Sequence, residues 1–403
     1  MSKKSNSNPS GKDSASPVQI GRFRGALKVF GLLAGLFGIL FIIGAILLTS
    51  GPGEEYVKNR FTAKLNRMGI DFQSRDFSID LNPLTLNIND ARFINAVNKQ
   101  PILSIEKATV GLSVGDLFSL RMSRDISVES VDIEGAQIDV SVNPDGTTNF
   151  SGVRMVEEED AVRVVFESAR VAIRNSVVRY GDVNRKISAN ANDLSLGVTP
   201  TDKTTPTGEK EYQFELKTAG SDLTYDTRTL SDITVTGVGT VSASGARIDR
   251  LTVDSKTGAA EIKGSTAGWS TPRFDLTIDG RLDLADISRV LGASTPFTGT
   301  GKFSGTISGV GEGFKIDGTV VADSIVVEGI SVTGLDIGAA LEGRNSSYEA
   351  NGKALAQLLT AGDFSISQPQ LSGVISGSGD VFKWLGGLQA AAVKTGNGSI
   401  GHV

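Results

Sequence analysis

The sequence predicts a mainly β fold: an elongated, curled antiparallel β-groove of many short strands with a few short helices, preceded by one transmembrane helix. Apolar and polar residues alternate with a period of two through most of the chain after Gly69, which is typical of strands with one apolar face. Glycine is abundant, with 48 of 403 residues, which favours many tight turns. Only 6% of the residues are aromatic. Residues 29–49 carry no charge, as a membrane-spanning helix requires.

The composition argues against an enzyme. The chain has no cysteine and a single histidine, His402. Disulfides, thiolate metal sites and cysteine nucleophiles are therefore excluded, and a histidine-based triad or proton shuttle is disfavoured. We predict no enzymatic activity, no catalytic residue, no bound metal and no cofactor.

The N-terminal segment predicts a basic tail followed by a membrane anchor. Residues 1–28 are polar and of low complexity, carry six basic side chains and one acidic side chain, and are expected to be disordered. Residues 29–49 would form a helix of about 31 Å, which matches the hydrocarbon core of a bilayer. A signal peptide or a buried soluble helix is the alternative, but the apolar stretch is longer than that of a signal peptide and lacks a polar stripe. The anchor residues are Val29, Leu36, Phe41 and Leu48.

The charge distribution predicts which side of the membrane each part occupies. Positive side chains stay on the cytoplasmic side, so the tail is expected in the cytoplasm and the bulk of the chain outside it, which in a bacterium is the periplasm. The net charge of the whole chain is −5, so the part beyond the basic tail is more acidic than that. Such a surface is unsuited to nucleic acid, and we predict no nucleic-acid partner.

Short helices are predicted at four places. After Pro52, apolar residues recur at helical spacing as far as Met68, and Gly69 is a suitable cap. This helix either packs on the first strands or lies on the membrane surface. Further helices are predicted over residues 284–291, 353–360 and 381–393.

The alternating segments are predicted strands, separated by turn signals. Acidic residues followed by Gly280, Gly318 and Gly329 predict tight turns, and the polar stretch 199–209 predicts a hinge or a long turn. The apolar members of the strands are the candidate lining of the groove: Leu84, Leu86, Ile88, Ile138, Val140, Val142, Leu194, Leu196, Phe214, Leu216, Leu276, Ile278, Ile316, Leu335 and Ile337.

A sheet with one apolar face needs a cover for that face. A second sheet or closure into a small barrel would provide one, and alternation by itself does not distinguish these from an open sheet. A partly curled sheet would leave an aliphatic surface suited to acyl chains, because burying each methylene contributes about 0.8 kcal/mol. The sequence leaves the closed sandwich and the open groove as alternatives.

Several segments follow the predicted anchor in a set order. They are a short helix ending at Gly69, a strand over 72–81, the phrase NPLTLNI over 82–88, ILSIEKA over 102–108, residues 110–120, a V-x-I unit over 126–142 with DGTTNF over 145–150, and a second such unit over 171–182. This order resembles the N-terminal part of AsmA-like proteins of the AsmA and TamB type. Residues 279–307 and 325–341 are similar to TamB-like repeats.

The resemblance implies an AsmA-like N-terminal β region over residues 50–204 and further β-groove repeats over 205–403, in a short member or an incomplete piece of a longer one. It implies a protein of the bacterial inner membrane whose groove binds phospholipid and helps move it between the inner and outer membranes. The alternative that it implies is a TamB-like scaffold or chaperone, which assists outer-membrane protein assembly and secretion and has an outer-membrane protein as its partner.

Overall fold

The computed structural model describes most of the chain after residue 53. The described residues are 54–81, 83–113, 125–154, 163–165, 169–269, 271–291, 298–311, 313–344, 347–378, 381–396 and 398–401. The predicted tail and the predicted anchor, with Val29, Leu36, Phe41 and Leu48, lie outside them. Among the described residues, no helix is both long enough and apolar enough to cross a bilayer.

Two helices and 24 strands make up the described fold. The helices are α1 (Glu54–Arg67) and α2 (Leu284–Leu291). The first nine strands are β1 (Ile70–Gln73), β2 (Asp76–Leu81), β3 (Leu84–Asn95), β4 (Pro101–Ser113), β5 (Asp125–Glu134), β6 (Gln137–Val142), β7 (Arg163–Val165), β8 (Arg170–Asp182) and β9 (Ile187–Thr204). The next eight are β10 (Lys210–Tyr225), β11 (Arg228–Val241), β12 (Gly245–Ser255), β13 (Gly258–Ala267), β14 (Arg273–Asp283), β15 (Thr298–Val310), β16 (Gly313–Val327) and β17 (Ile330–Arg344). The last seven are β18 (Ser347–Leu355), β19 (Leu358–Ala361), β20 (Phe364–Ser367), β21 (Gln370–Ser378), β22 (Val381–Gln389), β23 (Ala392–Thr395) and β24 (Gly398–Gly401).

Helix α1 covers the start of the sheet. Phe61 and Leu65, one turn apart, are fully buried, and the ring of Phe61 lies 4.7 Å from that of Phe72 in β1, centroid to centroid. Gly69, with a φ of +83°, follows the end of the helix, and its N–H donates to the carbonyl of Asn66. The predicted helix is therefore confirmed, and its apolar stripe packs on strands.

The loop after β6 is tied to the neighbouring strands by buried asparagines. The side-chain amide of Asn149 donates to the carbonyls of Pro101 (2.8 Å) and Asp139 (2.7 Å), and its oxygen accepts from the N–H of Ser141 (3.0 Å). The amide of Asn95 in turn donates to the carbonyl of Asn149 at 2.8 Å. The segment DGTTNF thus closes the N-terminal strands through its Asn side chain.

All 24 strands belong to one sheet, which is mixed. Strand β5 pairs in parallel with β7 and β8, and β6 pairs in parallel with β8. Strand β8 therefore runs in the same direction as β5 and β6. From β8 to β24 every pairing is antiparallel. The prediction of a wholly antiparallel sheet is wrong at β5–β8.

Beyond β8 the sheet is a meander of mostly long strands. Strand β9 has 18 residues and β10 has 16, so the prediction of short strands is wrong here. Near the C-terminus, three rows each consist of two strands laid end to end: β18 with β19, β20 with β21, and β22 with β23. The gaps between the two strands of neighbouring rows are joined by backbone hydrogen bonds. The N–H of Gln368 donates to the carbonyl of Gln357, and the N–H of Ala391 donates to the carbonyl of Ser367.

Two predicted helices are strands in the structure, while that over 284–291 is confirmed as α2. Residues 353–360 fall in β18 and β19, and residues 381–393 fall in β22 and β23. Strand β22 pairs with β21 at every residue from Val381 to Gln389. Gly386 and Gly387 interrupt the helical pattern, and a neighbouring strand supplies hydrogen bonds that a short helix cannot replace.

Two predicted turns lie inside strands. Gly280 is within β14 and Gly318 within β16, whereas Gly329 is in the turn after β16, as predicted. Of the hinge or long turn predicted over 199–209, residues 199–204 belong to β9, so that part of the prediction is wrong. The chain turns after them, where the N–H of Gly208 donates to the carbonyl of Thr205. Strands β9 and β10 pair with each other on either side of this turn. The domain boundary predicted at 204–205 stays a prediction.

Burial divides the sheet into two regions. We call α1, β1–β9 and the loop 143–154 the closed region, and β10–β24 with α2 the open region. The core cluster of buried apolar side chains lies in the closed region and includes Leu86, Phe93 and Ile133. In the open region Ala322 is the one buried apolar side chain among the described residues. The same sheet thus has a sealed core at one end and an uncovered face at the other.

Candidate functional site

One register row of mainly apolar residues crosses both regions, and we call it the central row. In the closed region its members are Phe77, Ile88, Ala108, Ile133, Ile173 and Leu196. In the open region it continues through Leu216, Gly237, Leu251, Ile262, Ile278, Gly305, Gly318, Ala339, Gly352, Gly373 and Gly386. From Gly305 onward every member is glycine or alanine, so the row becomes a shallow floor.

Two larger rows flank this floor. Each lies two residues away along the strands, except at the irregularity in β12, where Ile248 and Leu251 are three residues apart. One flanking row is Phe214, Gly239, Ile248, Gly264, Leu276, Ile307, Ile316, Leu341, Ala350, Ile375 and Trp384. The other is Phe303, Val320, Ile337, Ala354, Leu371 and Leu388. We call the central row from Leu216 to Gly386, with these two flanking rows, the apolar face. It consists of a small-residue floor between two mainly apolar ridges, running across the strands.

The structure separates the fifteen candidate residues into two groups. Eight lie in the closed region: Leu86, Ile88, Ile138, Val140 and Leu194 are buried, Leu84 and Leu196 pack against the core, and Val142 is half-buried. The other seven are half-buried on one side of the open region: Phe214, Leu216, Leu276, Ile278, Ile316, Leu335 and Ile337. Only the second group presents side chains that a ligand can reach.

The floor is accessible at its middle. Ala339 is exposed although it belongs to the apolar face, because both of its cross-strand neighbours, Gly318 and Gly352, lack side chains. Ile316 and Leu341 stand on one side of it and Val320 and Ile337 on the other. Residues four apart on one strand are about 13 Å apart, so the ridges leave room for a ligand at Ala339. To either side of it, the rings of Phe303 and Trp384 lean over floor glycines such as Gly318 and Gly373.

Aromatic rings occupy the space that several glycines leave on neighbouring strands. A Cβ added to Gly309 would lie 2.6 Å from Cζ of Phe274, and one added to Gly318 would lie 2.8 Å from Cε2 of Phe303. A side chain at either glycine would displace the ring. These glycines therefore serve cross-strand packing, which is why Gly318 follows an acidic residue without marking a turn.

The opposite side of the open region is polar. Lys315 lies between Asp317 (3.5 Å) and Glu342 (3.2 Å), and Ser304 donates to Asp279 at 2.6 Å. The hydrogen bond to Glu342, with the charge of Asp317, raises the pKa of Lys315 above its ordinary value. Charged groups are therefore satisfied on the solvent side and kept off the apolar face.

Little of the protein covers the apolar face. The strands of the open region make their substantial contacts with neighbours in the sheet and with α2, so no second sheet lies on them within the part described. Helix α2 follows β14 and contacts β15 and β11 as well. Of the alternatives that the sequence left open, the closed sandwich does not describe this region.

Sequence reasoning missed the small-residue floor. It interpreted Gly318 as a turn residue and did not single out Gly305, Ala339 or Gly352. The signal was present, since each lies between two apolar residues at i−2 and i+2, but only the pairing register shows that these positions are neighbours.

No protein-family model matches this chain, and no curated protein is significantly similar to it in sequence. The resemblance to AsmA-like proteins therefore stays a prediction.

Proposed function

We propose that this protein is a non-enzymatic component of the bacterial envelope whose apolar face binds phospholipid acyl chains and helps move them between the inner and outer membranes. The observation that carries the proposal is the floor around Ala339, which is exposed and bounded by two mainly apolar rows, and which no other described element covers. An apolar surface of this extent is rare on a soluble monomer unless something binds it.

The energetics favour an acyl chain as the ligand. Each buried methylene contributes about 0.8 kcal/mol, so several methylenes along the floor offset part of the cost of leaving a bilayer. The floor also lacks charged residues, which suits a hydrocarbon chain and disfavours a polar ligand. The curled shape predicted for the sheet is supported by α2, which contacts β11 on one side and β15 on the other.

The cellular placement belongs to the proposal as well. It rests on the uncharged stretch 29–49 and on the basic residues before it, which favour a single inner-membrane anchor with a cytoplasmic N-terminus and a periplasmic body.

Site-specific photo-crosslinking in cells tests the proposed ligand. A photoreactive residue in place of Ile278 should capture phospholipid, because Ile278 lies in the central row. The same residue at Thr277, which is adjacent but exposed on the opposite side, should capture much less. Equal capture at both positions contradicts lipid binding on the apolar face.

A scaffold for outer-membrane protein assembly is the second candidate function. The uncovered apolar strands favour it, since they also suit an unfolded β-barrel precursor. In the same experiment it would yield protein adducts at Ile278 in place of lipid.

A further inference from the structure

Two rims border the apolar face in the middle of the open region, and they differ in what covers them. On each strand the rim residue lies four positions from the central row, which is about 13 Å. One row, the aromatic rim, consists of Phe274, Gly309, Phe314, Gly343 and Tyr348. The other, the helix rim, consists of Leu282, Gly301, Ala322 and Leu335. The exposed part of the floor around Ala339 lies between them.

Helix α2 closes the helix rim. Its first turn is capped by the carboxylate of Asp283, which accepts from the N–H of Asp286 at 3.0 Å. Cδ2 of Leu284 in α2 lies 3.8 Å from the position that a Cβ on Gly301 would take. Gly301 and its cross-strand neighbour Ala322 are both buried. Helix α2 therefore stands between the solvent and the floor at this rim.

The aromatic rim has no such cover. Phe274, Phe314 and Tyr348 are half-buried, and within the described part of the chain their strands contact neighbouring strands and α2, which packs at the other rim. The rings lean along the row, since Cζ of Phe314 lies 2.5 Å from the position of a Cβ on Gly343. The hydroxyl of Tyr348 lies 2.8 Å from the same position on Gly377. Such a strip of rings is typical of a boundary between apolar surface and water.

Two arginines lie immediately outside the aromatic rim. Arg273, Val310, Gly313 and Arg344 form the next row across the strands. Both arginines are exposed, and neither forms an ion pair among the described residues. A guanidinium group binds phosphate with two parallel hydrogen bonds. This row therefore offers cationic partners to an anionic group that stays in water.

We propose that phospholipids enter and leave the floor over the aromatic rim, with their acyl chains on the floor and the headgroup phosphate outside the rim at Arg273 and Arg344. The inference rests on the proposed lipid binding and adds the side of entry and the residues that hold the headgroup. A charged phosphate is costly to bury, so the headgroup stays in water while the acyl chains lie on the floor. Because α2 closes the helix rim, the aromatic rim is the side over which a bound lipid can keep its headgroup in solvent.

A matched pair of cysteine variants tests the side of entry. Val310 and Thr300 lie on strand β15, five residues to either side of Gly305, and both are exposed. Val310 is just outside the aromatic rim and Thr300 just outside the helix rim. The chain has no cysteine of its own, so Val310→Cys and Thr300→Cys each carry one thiol. The full-length protein in detergent is treated with a phosphatidylethanolamine that carries a maleimide on its headgroup, and each rate is divided by that of a water-soluble maleimide.

We expect the lipid reagent to label Val310→Cys several-fold faster than Thr300→Cys. Thr277→Cys, at the middle of the polar side of β14, gives the background rate. Equal labelling of the two rim variants above this background would overturn the side of entry and leave lipid binding standing. Labelling of neither above background would contradict the proposed function as well.

A second pair of variants, made in the Val310→Cys protein, tests the phosphate partners. Arg273→Gln with Arg344→Gln removes both cations outside the aromatic rim, and we expect labelling to fall several-fold. Arg281→Gln with Lys302→Gln removes two exposed cations next to the helix rim and should leave labelling unchanged. Equal effects of the two double variants would overturn the role of Arg273 and Arg344, because they would show a general effect of charge.

Discussion

In the closed region the central row is sealed, whereas in the open region the same row lies uncovered. Ile88 and Ile133 are at most 2% exposed, enclosed in a core that includes side chains of α1. Ile278 belongs to the same row but is half-buried, and none of the described strands lies over it. Alternation in the sequence is equally regular in both regions. Among the described elements, the difference lies in what is added to the sheet: a helix and a tied loop at one end, and α2 alone at the other.

The largest expected contrast is in stability after the same truncation in both regions. Ile138→Ala should lower the free energy of unfolding by about 2–5 kcal/mol, because it leaves a cavity in a sealed core. Ile278→Ala should cost less than about 1.5 kcal/mol, since its side chain is already half in solvent. Chemical denaturation of both variants measures this. Equal losses would contradict the division into a closed and an open region.

The asparagine that ties the loop to the strands should matter nearly as much. Asn149 is buried, and Asn149→Ala removes two donated hydrogen bonds and one accepted bond, leaving the carbonyls of Pro101 and Asp139 and the N–H of Ser141 without this partner. We expect a loss of about 1–3 kcal/mol in the closed region. Asn66→Ala, at an exposed position near the end of α1, is the matched control and should have little effect. Hydrogen exchange in β3 and β6 would locate the loss.

Filling the floor of the open region should reduce lipid capture without unfolding the protein. Ala339→Phe places a ring between the two flanking rows, whereas Ala340→Phe adds the same ring on the opposite side. We expect capture at Ile278 to fall several-fold in the first variant and to stay unchanged in the second, as burial of a few methylenes is lost. If both variants behave like the parent protein, the acyl chain does not lie along this floor.

The smallest effect is expected at the border between the two regions. Lys186, in the turn after β8, pairs with Asp226, in the turn after β10, at 2.7 Å. The hydrogen bond from Lys186 lowers the pKa of Asp226, so its contribution is present above the ordinary carboxyl pKa and is lost as pH falls through the lowered value. Both side chains are exposed, so Asp226→Asn should lower the free energy of unfolding only slightly. The free energy of unfolding of this variant should also fall less at acidic pH than that of the parent protein. A large loss at neutral pH would show that this border is held by the ion pair.

The sequence predicted the class of fold because alternation reports one apolar face per strand. It predicted α1 and α2 as well, since both have helical spacing and neither contains an internal glycine. The prediction failed at residues 381–393, because the spacing of Trp384, Leu385 and Leu388 also fits a helix. These residues form a strand because β21 offers an edge with which they pair. Tertiary pairing overrides local pattern in such short apolar segments.

The candidate site was predicted only in part. Phe214, Ile278 and Ile316 are on the apolar face because alternation fixes the face, but alternation carries no information on what covers it. Leu86 and Ile138 have the same pattern and lie in a sealed core. The floor itself depends on which glycines are neighbours across strands, which a single strand does not reveal.

Cysteine labelling tests the central claim most directly, because the chain has no cysteine of its own. The reaction of a maleimide with Ile278→Cys and with Thr277→Cys is measured on the full-length protein, first without and then with added phospholipid. Both variants should react readily without lipid, and lipid should slow the reaction of Ile278→Cys several-fold while leaving Thr277→Cys unchanged. A slow reaction of Ile278→Cys without lipid, or equal protection at both positions, would contradict an open apolar face that binds acyl chains.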